Sequence, residues 1–133
     1  MTMESLYIPA TATSPEVSFE FDQHRLSIRG ESYPENAAAF YGPVIHGVRA
    51  YLDSCESCPI EVNVSLAYFN SSSTKMLFGF FDALNEAALA GNTVTLNWYR
   101  DEEDEVSHEF GEELREDCPA LHFVERMLDR KDG

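Results

Sequence analysis

Polar and apolar positions along this chain fall into two rhythms. Val17-Ser18-Phe19-Glu20-Phe21 and Arg25-Leu26-Ser27-Ile28-Arg29-Gly30 alternate with period two, which predicts two strands closed into a β-hairpin at Asp22-Gln23-His24. Leu6-Tyr7-Ile8 reads as a short extended piece ahead of them. Phe40, Tyr41, Val44, Ile45, Val48, Tyr51 and Leu52 then recur at helical spacing. Pro34 suits the first turn of that helix, and Pro43 inside it predicts a kink or a restart. Ile60-Glu61-Val62-Asn63-Val64-Ser65-Leu66 is the cleanest strand. Its alternation is lost at Ala67-Tyr68-Phe69, which predicts a central strand buried on both faces. A second helix carries Met76, Leu77, Phe80, Phe81, Leu84, Ala87 and Ala88 on one stripe and stops at Gly91-Asn92. Thr93–Tyr99 is another strand, Val106, Phe110 and Leu114 mark a weaker helix, and Ala120–Val124 is a last strand. The order predicts an α/β fold, an N-terminal β-hairpin followed by alternating helices and strands in a mixed, mostly parallel sheet. At 133 residues one domain spanning 1–133 is expected, with 1–14 and 126–133 frayed.

Charge narrows the range of partners. The formal net charge is −15, so nucleic acid and anionic membrane surfaces are not expected partners. Much of the charge lies in a tract from Asp101 to Asp117, read as a solvated face or a contact for a basic surface. No apolar run reaches membrane-spanning length and the N-terminus lacks a signal-peptide pattern, so a cytoplasmic protein is expected. Cys55 and Cys58 have the spacing of a redox or zinc pair. They follow a helix rather than start one, Cys118 stands alone, and His24, His46, His108 and His122 are scattered. No metal and no cofactor are therefore expected. Nucleotide-binding glycine loops and the nucleophile elbow of hydrolases do not occur.

What remains is the junction between the cleanest strand and the second helix. Tyr68-Phe69-Asn70-Ser71-Ser72-Ser73-Thr74-Lys75 places four consecutive hydroxyls at a helix N-terminus. Such hydroxyls can cap the unpaired first-turn N–H groups, or they can carry a phosphate that suits the positive end of the helix dipole.

Together with Gly30-Glu31-Ser32-Tyr33-Pro34-Glu35-Asn36 and Leu114-Arg115-Glu116-Asp117-Cys118, this stretch resembles the three signatures of the SiaC family of bacterial regulatory phosphoproteins, in order and in spacing. That family is similar to single-domain STAS proteins, the anti-sigma-factor antagonists, so the resemblance implies a STAS-like fold and no enzymatic activity. It implies a cycle in which a cognate Ser/Thr protein kinase phosphorylates one hydroxyl and a PP2C-type phosphatase removes the phosphate. The unmodified form then binds and activates a diguanylate cyclase, controlling cyclic-di-GMP and biofilm behaviour. The hydroxyl that follows the Asn of the Tyr-x-Asn motif is Ser71, where relatives carry Thr; Ser72 and Ser73 are its neighbours. Helix geometry, about 100° per residue, brings Phe78 to the side of Ser71 and away from the core stripe, as an apolar anchor for the partner. Lys75 would pair with the phosphate or guide the kinase. Tyr33, Glu35 and Asn36, with Asn70 and Ser72, complete the expected partner surface. Two other readings compete with this one. One is a STAS-like antagonist with a different client, and the other is a small hydrolase in which the fold brings a histidine to Ser71.

Overall fold

The computed structural model describes residues 5–128, and the fraying expected at 1–4 and 129–133 lies outside them. Six strands and three helices follow in the order β1 (Leu6–Ile8), β2 (Glu16–Glu20), β3 (Arg25–Ser32), α1 (Ala37–Asp53), β4 (Pro59–Phe69), α2 (Ser71–Leu89), β5 (Thr93–Arg100), α3 (Glu105–Asp117) and β6 (His122–Met127). The expected mixed α/β architecture is the one observed. Elements that were expected to fray, β1 and the end of β6, are ordered partners of the sheet.

The strands lie side by side in sequence order, antiparallel from β1 to β3 and parallel from β3 to β6. A right-handed crossover after each of β3, β4 and β5, always stepping the same way, puts all three helices on one face. The sheet therefore buries one side only. Val62, Val64 and Leu66 of β4 point into the core, while Glu61, Asn63 and Ser65 between them face outward. This corrects the expectation of a strand buried on both faces. Alternation fails near Leu66 because of a bulge. Gly30 pairs with Leu66 but Glu31 pairs with Tyr68, so Ala67 is the extra residue. The bulge shifts the phase by one, turning Phe69 inward and leaving Tyr68 half-exposed.

Two further expectations change. The first helix begins after Asn36, whose side chain accepts from the Ala39 N–H at 3.0 Å, so Pro34 lies ahead of it. α1 then runs unbroken through Pro43 instead of restarting, held by buried Tyr41, Val44 and Val48 on both sides of the missing donor. In α3 the inward stripe is Ser107, Phe110, Gly111 and Leu114, whereas Val106 faces solvent. The small residues let the helix lie close to β5. Trp98 Nε1 donates to the Ser107 carbonyl at 3.0 Å, and a Cβ on Gly111 would meet the Trp98 ring at 3.2 Å. None of the described helices is long and apolar enough to cross a membrane.

Candidate functional site

The C-terminal ends of β3 and β4 run side by side, with Ser32 opposite Phe69. Because these strands are parallel, the loops that follow both emerge at the same edge of the sheet. The Ser32–Asn36 block therefore reaches the start of α2. The Asn70 N–H donates to the Ser32 carbonyl at 3.0 Å, and the Tyr33 and Tyr68 rings meet edge to face with centroids 5.6 Å apart. Tyr33 is 38% and Tyr68 50% exposed, so the pair forms an aromatic ledge beside the helix N-terminus.

The four hydroxyls are not equivalent. Asn70 performs the capping, its side chain accepting from the Ser73 N–H at 2.9 Å. Thr74 Oγ1 turns back and donates to the Asn70 carbonyl at 3.1 Å. Ser73 is fully buried and belongs to a chain of buried hydroxyls. Its Oγ donates to the Ser32 carbonyl at 3.0 Å and accepts from Ser32 Oγ at 2.8 Å. Since each serine has one hydroxyl proton, the 2.5 Å bond between Ser32 Oγ and the Tyr41 hydroxyl must have Tyr41 as its donor. Burial pushes the Tyr41 phenol up from its ordinary value, so it stays neutral and able to donate. Ser71 and Ser72 are exposed. Burial of Ser73 and the back-bonding of Thr74 thus occupy two of the hydroxyls and leave Ser71 and Ser72 within reach of a modifying enzyme. The first turn of α2 contains no acidic side chain, so the positive end of its dipole is uncompensated in a chain of net charge −15.

Glu35, Asn36 and Lys75 are exposed at this edge, and Asn36 spends its amide oxygen on capping α1. Phe78 is placed differently from expectation. It is half-buried, its ring centroid 5.0 Å from that of Phe110, because α3 packs along that side of α2. It joins an aromatic cluster with Phe69, Phe81, Trp98 and Phe110 and does not stand clear of the core. Sequence reasoning missed Tyr68 as a surface residue, and it missed Ser32 and Tyr41 as the partners of Ser73. The broken alternation at Leu66–Phe69 was the signal for the first; nothing local signals the second. Two of the four histidines have partners away from Ser71: His24 bonds the Tyr51 hydroxyl, and His108 bonds Glu125, which also pairs with Arg100 at 2.8 Å.

A model of the family described as SiaC family regulatory phosphoprotein matches residues 8–127. This chain belongs to the SiaC family. It is 39% identical over 116 residues to an uncharacterized protein of Pseudomonas aeruginosa strain UCBPP-PA14, covering 87% of this chain and 91% of that one. The fold is similar to that of SiaC of Pseudomonas aeruginosa, with a TM-score of 0.85 at 36% identity, covering 95% of this chain and all of the other. A further solved structure holds the diguanylate cyclase SiaD of Pseudomonas aeruginosa in complex with its activator SiaC. The match there has a TM-score of 0.84 at 36% identity and covers 92% of this chain and 99% of that one. The family match spans the whole edge described above, from β3 through α2.

Proposed function

We propose that this SiaC-family chain is a non-enzymatic, cytoplasmic switch whose unmodified form binds and activates a diguanylate cyclase, and whose release is set by phosphorylation of Ser71. The observation that carries the reading is the division of labour at the start of α2. Asn70 caps, Ser73 is buried, and Ser71 stands exposed on the first turn next to the Tyr33–Tyr68 ledge. A cognate Ser/Thr kinase would add the phosphate and a PP2C-type phosphatase would remove it. The family's description as regulatory phosphoproteins supports a phosphorylated form, and the cyclase complex of the P. aeruginosa relative supports a diguanylate cyclase as the client.

Physically, the phosphate brings about −1.5 to −2 charges and strong acceptor oxygens to the positive end of α2. First-turn N–H groups and the exposed Lys75 can meet it, so the fold itself is not disturbed. The partner loses instead. Tyr33 and Tyr68 are amphipathic rings suited to a dry contact, and a dianion at its margin must be desolvated when a partner covers the ledge. Glu35 and Asn36 on one side, and Ser72 and Lys75 on the other, frame that contact.

The test combines site mapping with binding to the cyclase. Phosphate is expected on Ser71, and the Ser71→Asp protein is expected to lose both binding and stimulation of the cyclase while Ser71→Ala keeps them. Tyr68→Ala is expected to weaken binding about tenfold or more without lowering thermal stability, as truncation of an exposed interface aromatic does. Phosphate confined to Ser72, or a Ser71→Asp protein that stimulates the cyclase as well as the unmodified one, would overturn the assignment.

A further inference from the structure

The opposite end of the sheet holds a second cluster, in which a histidine far away along the chain joins the Cys55–Cys58 pair. His24, Cys55 and Cys58 offer three ligand atoms that all lie within 4.8 Å of one another. β4 alone separates this cluster from Ser71, and its residues Pro59 to Phe69 span about 33 Å at strand rise. The scattered-histidine reading is therefore corrected for His24. The β2–β3 connection folds it against the loop that leaves α1.

Three features mark the cluster as built. First, both ligand segments are pinned. The His24 carbonyl accepts from the Glu61 N–H at 2.8 Å, the Cys55 N–H donates to the Leu52 carbonyl at 3.1 Å, and the Cys58 N–H donates to Asn92 Oδ1 at 2.8 Å. Second, the ligand side chains are already tied to one another. The His24 Nδ1 lies 2.5 Å from the hydroxyl of Tyr51, a buried residue stacked on Phe21, and the same hydroxyl hydrogen-bonds the Cys55 side chain, so the imidazole is held in place and its Nε2 is left for a metal. Third, the backbone is strained where the ligands sit. Among the described residues the non-glycine positions with positive φ are His24 at 54° and Ser57 at 53°, the latter directly before Cys58. Each such position costs on the order of 1 kcal/mol and persists only where the surroundings hold it, and such sites gather where geometry serves a function.

We propose that His24, Cys55 and Cys58 bind one Zn²⁺ ion, with water in the fourth position. Two thiolates and one imidazole are a ligand set that selects zinc among the common divalent ions. Zinc–sulfur bonds of about 2.3 Å and zinc–nitrogen bonds of about 2.0 Å in a tetrahedron space the ligand atoms about 3.5–3.8 Å apart, so closure shortens any pair by about 1.3 Å at most. Binding releases two thiol protons, and the resulting centre is neutral overall, which suits its half-buried place. A cavity of about 280 Å³, lined in part by Asp53 and Cys55, adjoins the cluster and provides an approach. The ion would clamp the β2–β3 connection to the α1–β4 loop. The proposal does not depend on the role of Ser71.

The experiment uses the reduced full-length chain with Zn²⁺ as the probe and, separately, Co²⁺ as a spectroscopic substitute. One equivalent of Zn²⁺ is expected to protect Cys55 and Cys58 from alkylation, read by peptide mass, in the unaltered protein. Co²⁺ is expected to give a thiolate charge-transfer band. Cys58→Ser and His24→Asn, the latter chosen because Asn tolerates the left-handed backbone, should each weaken zinc binding by about 100-fold or more; Tyr51→Phe, which removes the hydroxyl that bonds both His24 and Cys55 and no ligand atom, should weaken it about tenfold. Cys118→Ala is the control that should bind like the original. Alkylation of Cys55 and Cys58 at an unchanged rate in the presence of Zn²⁺ would overturn the proposal without recourse to any variant. So would a Co²⁺ complex lacking the charge-transfer band, or affinity that survives both ligand substitutions.

Discussion

The buried hydroxyl chain beneath Ser71 and Ser72 makes an ordered prediction. Tyr41 donates to Ser32 Oγ, Ser32 Oγ donates to Ser73 Oγ, and Ser73 Oγ donates to the Ser32 carbonyl, all with essentially no solvent exposure. Tyr41→Phe removes the outermost donor. Ser32 Oγ keeps its bond to Ser73, no polar group is stranded, and the loss is the net worth of one hydrogen bond, about 1 kcal/mol. Ser73→Ala does more. The Ser32 carbonyl keeps the Asn70 N–H as its donor. The Ser32 hydroxyl proton, however, loses its acceptor in a dry site. If it turns to the Tyr41 oxygen, the Tyr41 proton is stranded instead. One orphaned buried donor is expected to cost about 2 kcal/mol, roughly twice the Tyr41→Phe effect. With a urea dependence of about 2 kcal/mol per molar, the midpoints should fall by about 1 M for Ser73→Ala and about 0.5 M for Tyr41→Phe. Equilibrium urea unfolding followed by circular dichroism reads both. A Tyr41→Phe protein as destabilised as Ser73→Ala would refute the proton order. Kinase modification of folded Ser73→Ala should proceed at the original site, since Ser73 is sealed from solvent.

Two further predictions concern the α3 side of the molecule. Gly111→Ala places a methyl 3.2 Å from Trp98 and Phe123, tighter than their rings can easily yield, so thermal unfolding should show a loss of about 1–3 kcal/mol despite the better helix propensity of alanine; equal or raised stability would show that α3 can move away from β5. The Arg100 guanidinium beside Glu125 holds its carboxyl below the ordinary value of 4.5, with His108 adding to the effect, so the stability this pair supplies is complete above about pH 4.5 and is lost as pH falls through the lowered folded-state value. The stability gap between the original protein and Glu125→Gln should therefore be flat from neutrality to about pH 5 and shrink below it, and a gap that widens in acid would contradict the pairing.

The relation between the two edges of the sheet has a simple cause. Parallel strands send every helix N-terminus and its preceding loop to one edge, and every helix C-terminus to the other. The start of α2 and the Ser32–Asn36 block share the first edge. The end of α1, with Cys55 and Cys58, meets the β2–β3 connection at the second. One sheet thus keeps the proposed phosphate site and the thiol–imidazole cluster about a strand length apart, roughly four Debye lengths at physiological ionic strength, so a phosphate at one is little felt at the other.

Element type was legible in the residues because it follows from periodicity. Period two in Val17–Phe21 and Ile60–Leu66, and helical spacing in Phe40–Leu52 and Leu77–Ala87, each fix a face that must be buried, and neighbours along the chain alone set that rhythm. The order of these elements determined the mixed sheet, and three short motifs were enough to indicate the family. What neighbours along the chain do not contain is who lies across from whom. Loss of alternation at Leu66–Phe69 has the same appearance in sequence whether a strand is covered on both sides or bulged, and only pairing with Gly30 and Glu31 decided for the bulge and the exposed Tyr68. Phe78 lies where helical geometry placed it, but α3 covers that side, so its burial belongs to the packing of two helices. The four hydroxyls at Ser71–Thr74 are chemically near-identical in sequence. They became a cap-free candidate switch, a buried strut and a back-bonded threonine because Ser32 and Tyr41, far away along the chain, stand beside only one of them. His24 met Cys55 and Cys58 for the same reason: hydrogen bonding and packing between distant segments are properties of the assembled sheet, and no spacing along the chain encodes them.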